Sequence, residues 1–297
     1  MNAPTSFTPV NFDVPPGACD CHTHIHGDPV RFPFFAGRVY TPEVALPEAM
    51  SALHHALHIQ RVVIVTPSVY GTDNSATLFG IRARGNDARG VAVIDDDTPD
   101  AELDAMQRAG IRGIRLNLAT IGVGNPDVAE RLFRRAVERA GPRGWHVQIY
   151  AHLALIDALW QVFATSPVDV VFDHFGDARA ALGPDQPGFA GLVDLVRSGA
   201  AYVKISGAYR SSDRAPEYPD VAPLAQALIQ ANPDRILWGT DWPHPSGATP
   251  PGKRPTDVTP PFAIDDGRLL NQLTRWAPDP GVREKILVRN PARLYGF

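Results

Sequence analysis

Ala18-Cys19-Asp20-Cys21-His22-Thr23-His24 is a short apolar run that ends in two histidines, and Ile236-Leu237-Trp238-Gly239-Thr240-Asp241 is another that ends in an aspartate. Six short runs lie between them, at Arg61–Thr66, Gly90–Asp95, Ile111–Leu118, Trp145–Ala151, Val168–Asp173 and Ala201–Ser206. Most are separated by stretches with helical spacing, at 48–57, 100–109, 128–140, 153–164, 189–198 and 221–231. In the first of these, Met50, Leu53 and Leu57 fall on one face. Strands that alternate with helices build a parallel sheet, because parallel neighbours need a long crossover. Eight such units in a chain of 297 residues give an α/β fold of the (β/α)8 TIM-barrel type, a single domain over 1–297. A Pro- and Thr-rich loop at 250–260 follows the last strand, and helices at 266–276 and 283–288 close the barrel.

Composition excludes several classes. The apolar share of 44% and the charged share of 20% are those of an ordinary globular chain. A net charge of -4 gives nucleic acid no electrostatic reason to bind, and Arg134-Arg135 and Lys253-Arg254 read as solvated surface. No apolar run is long enough for a membrane. Residues Met1 to Gly17, with Pro4, Pro9, Pro15 and Pro16, read as an extended N-terminal arm and not as a signal peptide. Cys19 and Cys21 sit two apart on a strand, where a disulfide is geometrically poor. Both are expected to be reduced barrel-wall residues, which suits a cytoplasmic protein. Oligomeric state is not legible.

In this fold the chemistry collects at the C-terminal ends of the strands. His22 and His24 end the first strand and share a face by alternation. Arg115 and Asn117 lie on the fourth strand, and Gln148, Tyr150 and His152 on the fifth. His174 follows the sixth, Tyr209 and Arg210 follow the seventh, and Asp241 ends the eighth, with His244 just beyond. A lone His-x-His pair is ordinary; with His174 and Asp241 at matching ends it reads as a site. Asp241, His22, His24 and His174 are the catalytic candidates. Arg115, Tyr150, Arg210 and His244 are the candidates for holding substrate, since a guanidinium suits a carboxylate bidentately. His54, His55 and His58 read as surface or packing residues on a helix, and His26 as loop. His146 is expected to face the helices, away from Tyr150 and His152. No G-x-S-x-G elbow or P-loop is present, and Gly122-Val123-Gly124 lacks the third glycine of a dinucleotide fingerprint, where Asp127 stands.

Three segments carry a resemblance: Asp20-Cys21-His22-Thr23-His24, Asp173-His174-Phe175-Gly176 and Trp238-Gly239-Thr240-Asp241-Trp242-Pro243-His244-Pro245. Together they resemble the amidohydrolase superfamily, and within it the amidohydrolase-2 group that includes 2-pyrone-4,6-dicarboxylate lactonase. The likeness also takes in Tyr70–Asn74, Arg112–Arg115, Gly144–Val147 and Asn290–Tyr295. It implies a distorted TIM barrel and a hydrolase that opens a lactone ring of a small carboxylated substrate, in aromatic or sugar-acid catabolism. It also implies that Asp241 is the general base, that His22, His24 and His174 polarise the carbonyl, and that Arg115, Tyr150 and Arg210 bind carboxylates.

The chain departs from the lactonase at two places. The loop Leu118–Gly124 lacks the arginine found there in the lactonase, and His152 stands where that enzyme has an acidic residue. The imidazole of His152 can complete a divalent-metal site with His22, His24, His174 and Asp241, for zinc or manganese; a metal-free site is the alternative. Isomerisation or decarboxylation of a similar substrate is the second enzyme reading. A non-catalytic carboxylate-binding barrel is the third, and a retained general base speaks against it.

Overall fold

A computed structural model describes residues 7–297 of the protein. Eight parallel strands form the barrel: β1 (Cys19–Thr23), β3 (Arg61–Val65), β4 (Ala88–Ala92), β5 (Ile111–Asn117), β6 (His146–Tyr150), β7 (Val170–Phe172), β8 (Ala201–Ser206) and β9 (Ile236–Gly239). Each pairs with the next in that order. The first and last are joined beyond β9, where the Asp241 amide donates to the His22 carbonyl and the His24 amide to that of Trp242, both at 2.8 Å. Gly239 allows this seam: a Cβ there would lie 2.7 Å from the His22 nitrogen.

Helices α1 (Pro47–Ala56), α2 (Ser75–Arg84), α3 (Asp100–Arg108), α4 (Pro126–Ala140), α5 (Leu153–Ala158), α6 (Trp160–Ala164), α7 (Phe189–Arg197), α8 (Ala208–Ser211) and α9 (Ala222–Ala231) run between strands. The expected helix at 153–164 is therefore two, with a break at Leu159. Apolar spacing does not single out α2, which carries Gly80 and little amphipathic pattern. That glycine lets the helix lie close on the barrel, since a Cβ would stand 2.7 Å from Ile25 and 2.8 Å from Ile64. The C-terminal segment forms α10 (Asp266–Asn271), α11 (Leu273–Trp276), α12 (Pro280–Glu284), a π-turn at Lys285–Arg289 and α13 (Asn290–Tyr295).

The expected N-terminal arm lies outside the described residues at positions 1–6. From residue 7 it packs on the C-terminal helices. The Thr8 hydroxyl donates to Asp265 at 2.6 Å, and Phe7, Val10, Phe12 and Val14 rest on the apolar core. Two short strands, β2 (Thr41–Pro42) and β10 (Val258–Thr259), pair in parallel. They tie the segment after β1 to the long loop after β9. No helix among the described residues is long and apolar enough to cross a membrane.

An apolar group lines the lower barrel interior. Cys19 and Cys21, both free thiols, pack with Val63, Val65, Val91, Val171, Tyr202, Leu237 and Tyr295. The structure corrects the placement of His146. Positions 146, 148 and 150 have the same parity, so His146 shares the inward face with Gln148 and Tyr150. Its ring meets Tyr295 edge-on at 5.2 Å and covers Gly113, where a Cβ would lie 2.3 Å from it. Simple alternation is also broken in β1, where Asp20 pairs with Val62 and Thr23 with Ile64. Three residues there oppose two, a bulge that turns His22 inward directly after Cys21.

Candidate active site

Asp20 fixes the two strand ends that carry the site. One of its oxygens accepts from the His22 amide at 3.1 Å and the Thr240 amide at 3.0 Å. The other accepts from the Thr240 hydroxyl at 2.5 Å and meets His54 at 3.2 Å. His54 is thus a buried packing residue on α1. Asp241 then follows in a left-handed turn, φ +66°, and His174 in another, φ +48°. Two non-glycine residues in this sparsely populated region at one site are backbone strain that the surrounding hydrogen bonds must hold.

The two oxygens of Asp241 have different surroundings. Oδ2 accepts from Tyr209 Oη at 2.6 Å and Arg210 Nε at 2.5 Å. Oδ1 has no hydrogen-bond partner, as does Nε2 of His22. Around Oδ1 stand three imidazole Nε2 atoms, of His24 at 3.4 Å, His22 at 3.6 Å and His174 at 3.9 Å. All four side chains are buried. His24 Nδ1 lies 2.7 Å from the Val65 carbonyl, which only accepts, so Nδ1 carries a proton and Nε2 faces the centre. His174 Nδ1 meets the Ser206 hydroxyl at 3.0 Å.

Burial and charge set the protonation states. Burial pushes His174 down to about 4, although Asp241 pulls it up. It holds His22 well below the usual imidazole range as well, against the pull of Asp173. Burial would raise Asp241, but Arg210 and the imidazoles outweigh it and hold the carboxyl well below its usual range. At neutral pH the Asp241 carboxylate therefore faces the neutral imidazoles of His22 and His174.

A cavity of about 580 Å³ opens onto this centre. His24, His174 and Asp241 form its floor, and Arg115, Tyr150, His152 and Arg210 line its wall. Arg115 donates to the Thr66 carbonyl at 3.1 Å, and its Nε is buried without a partner. The ring of Tyr150 packs edge-on against His174 at 5.5 Å. His152 stands apart from the buried centre, with its side chain 63% exposed and Nδ1 2.7 Å from Asp177. His244 is buried behind the site, bound to Asp266 at 3.0 Å and to the ring of Tyr209, and is not part of the cavity wall.

Sequence reading missed a polar layer beneath the centre. Lys204, fully buried on β8, donates to Gln148 at 2.6 Å and lies 3.5 Å from Asp173. Asp173 lies 3.2 Å from His22 Nδ1 and 3.5 Å from Arg115. The signal was a single lysine inside the apolar run Ala201–Ser206, which burial of a parallel strand makes costly unless it is paired. Tyr209 was likewise named only as a neighbour of Arg210.

Comparison with known proteins supplies the family. The Amidohydrolase family model matches residues 19–297. The chain belongs to the amidohydrolase family. A 4-sulfomuconolactone hydrolase of Hydrogenophaga intermedia is 37% identical over 289 residues, covering 97% of this chain and 91% of the relative. A 2-pyrone-4,6-dicarboxylate hydrolase of Comamonas testosteroni is 35% identical over 293 residues, covering 96% and 92%. Among solved structures, an apo protein of Agrobacterium tumefaciens superposes with a TM-score of 0.81 at 28% identity, covering 97% of this amidohydrolase and 98% of that chain. The two relatives named as hydrolases act on lactones, and the solved structure shares the fold.

Proposed function

We propose that this amidohydrolase opens the lactone ring of a small carboxylated substrate by attack of water, with Asp241 as general base. The observation that carries the reading is the asymmetry of Asp241. Tyr209 and Arg210 fix Oδ2, while the free Oδ1 faces three imidazoles on the floor of a cavity with arginines in its wall. In this reading Oδ1 takes a proton from water as the water oxygen attacks the ring carbonyl carbon. His22, His24 and His174 line the place where the oxyanion forms. The ring C–O bond then breaks, and Asp241 returns the proton to the leaving oxygen. The product acid ionises at neutral pH, so one proton is released per ring opened. Arg115 and Tyr150 are proposed to hold a substrate carboxylate, and Arg210 to serve both that group and Asp241.

The centre also fits one divalent ion. Buried orphan atoms on His22 and Asp241, and nitrogen-to-oxygen separations of 3.4–3.9 Å, are what ligands of a single small cation show. His22, His174 and Asp241, whose ligand atoms lie within 4.8 Å of one another, would hold it with His24 beside them, and a site rich in imidazole favours zinc over manganese. When bound, it supplies Lewis acidity to the carbonyl and to water. Two free, buried cysteines support a reducing, cytoplasmic setting.

The test is proton release, followed with a pH indicator, on a panel that includes 2-pyrone-4,6-dicarboxylate, muconolactones and aldaric acid lactones. One proton per substrate consumed is expected with at least one carboxylated lactone. Consumption of a lactone without net acid means ring isomerisation, and release of carbon dioxide means decarboxylation; either overturns the hydrolase reading. Tight binding of a lactone that stays unchanged on long incubation means a binding protein.

A further inference from the structure

Arg38 is the third arginine of the cavity wall, after Arg115 and Arg210, and it comes from the segment between β1 and α1. Its guanidinium is held from one side. Nε donates to the Thr41 hydroxyl at 2.7 Å and Nη1 to the Phe35 carbonyl at 3.0 Å, with the ring of Phe34 5.4 Å away. Thr41 in turn donates to the Pro255 carbonyl at 2.7 Å, which ties the arginine's support to the loop after β9. No carboxylate lies within 4.0 Å of Arg38 among the described residues. A half-buried arginine with no acid on it is usually a solvated surface group. This one is oriented by its own segment and lines the same cavity as Asp241.

The charges of that cavity do not balance without a ligand. Its wall carries the guanidinium groups of Arg38, Arg115 and Arg210 and the single carboxylate of Asp241. Arg210 and Asp241 neutralise each other at 2.5 Å. Beneath the wall, Asp173 lies 3.5 Å from both Lys204 and Arg115. Four cations, Arg38, Arg115, Arg210 and Lys204, face two carboxylates, Asp241 and Asp173, so the site is two positive charges in excess, and Arg38 at the rim is the one with no carboxylate beside it. The stretch Leu118–Gly124, with Ala119 and Thr120 in the wall, offers no cation. A single carboxylate would leave the rim charge unanswered; a dianion answers both.

We infer that Arg38 is the residue that binds the second anionic group of a dianionic lactone, a role that no side chain of Leu118–Gly124 can take. One anionic group sits by Arg115 near the reacting carbonyl, and the other meets the unspent donors of Arg38 at the rim. The inference rests on the lactone-hydrolase reading for the word lactone, but not for the two anion contacts, which are tested without turnover. Isophthalate is a planar six-membered ring with two carboxylates and no bond to hydrolyse; benzoate is the same ring with one. Calorimetric titration of the wild-type protein is expected to favour isophthalate. Arg38→Met should weaken isophthalate by about 10-fold, the scale of a partly buried charge-assisted contact, and leave benzoate within about 2-fold, while Arg38→Lys restores part of the loss. Equal affinity of both probes for the wild type, or a loss in Arg38→Met that is the same for both or absent, overturns the inference. Failure of every lactone to release acid, with the probe selectivity intact, would instead remove the hydrolase reading and leave the dianion site standing.

Discussion

The barrel interior holds two buried aspartates with opposite surroundings. Asp173 lies under the site, and its oxygens meet His22, Lys204, Gln148 and Arg115, so it is enclosed by donors and cations. Asp241 lies at the mouth, with one oxygen locked by Tyr209 and Arg210 and the other open toward the cavity. Neighbouring charges hold both well below the ordinary carboxylate range, against burial that would raise them. The lowered pKa therefore does not distinguish a catalytic carboxylate from a structural one; the free oxygen does. Exchanging each aspartate or its partners should separate the roles, one in turnover and the other in stability.

The largest effect is expected from Asp241→Asn. It keeps the shape of the side chain but removes the proton acceptor, which costs on the order of 10²–10⁴ in turnover. Binding of a carboxylated ligand should survive, because Arg115 and Arg38 are untouched. Steady-state kinetics with the best lactone, together with calorimetric binding, check this. Turnover within a few-fold of wild type would transfer the base to another group and leave Asp241 as a second structural aspartate.

Legibility followed the same division. The mouth could be read because polar residues at strand ends have no packing reason to be there. His22, His24, His174 and Asp241 were named together, and the structure gathers them around one oxygen. Arg115, Tyr150 and Arg210 reach the cavity as read. The layer beneath was harder, because its members look like strand residues. Lys204 is flanked by apolar neighbours, and Asp173 reads as the last residue of the run Val168–Asp173, before His174. The bulge in β1 cannot be seen in a period-two pattern, and His146 was assigned to the wrong face although its parity matches Tyr150. His152 and His244 follow strand ends in sequence but are carried aside by the local turns, one to the rim and one to Asp266. Arg38 was invisible because nothing in a loop sequence says which cavity a long side chain will border.

The next effect lies in the lower layer. Lys204→Met removes a fully buried ammonium and leaves Asp173 with less of its compensating charge. Breaking a buried pair from one side costs about 3–5 kcal/mol, and the loss should appear in urea unfolding of the variant. Adding Asp173→Asn should recover much of it, since the two charges go together. A Lys204→Met protein as stable as wild type, or a double variant less stable than the sum of both changes, would contradict a sealed pair and point to Lys204 working through His22.

The smallest effect concerns His146, at the bottom of the barrel and away from the mouth. Burial first, then Lys204, pushes its imidazole down to about 3 from an ordinary 6.5. Its folded value is lowered, so the unfolded chain binds a proton that the native protein refuses between those two values. Stability is therefore intact above about pH 6.5 and falls as pH drops toward 3, with a slope of roughly 1.4 kcal/mol per pH unit from this one group. His146→Leu removes that titration. It should flatten the acid limb of a plot of urea midpoint against pH, most clearly between pH 6 and 4.5, before the carboxylates join. An unchanged slope would mean that the ring takes up its proton in the folded barrel, beside Tyr295 and Lys204. In that case the lower interior admits water and charge, and the contrast between a sealed floor and an open mouth would fail at its base.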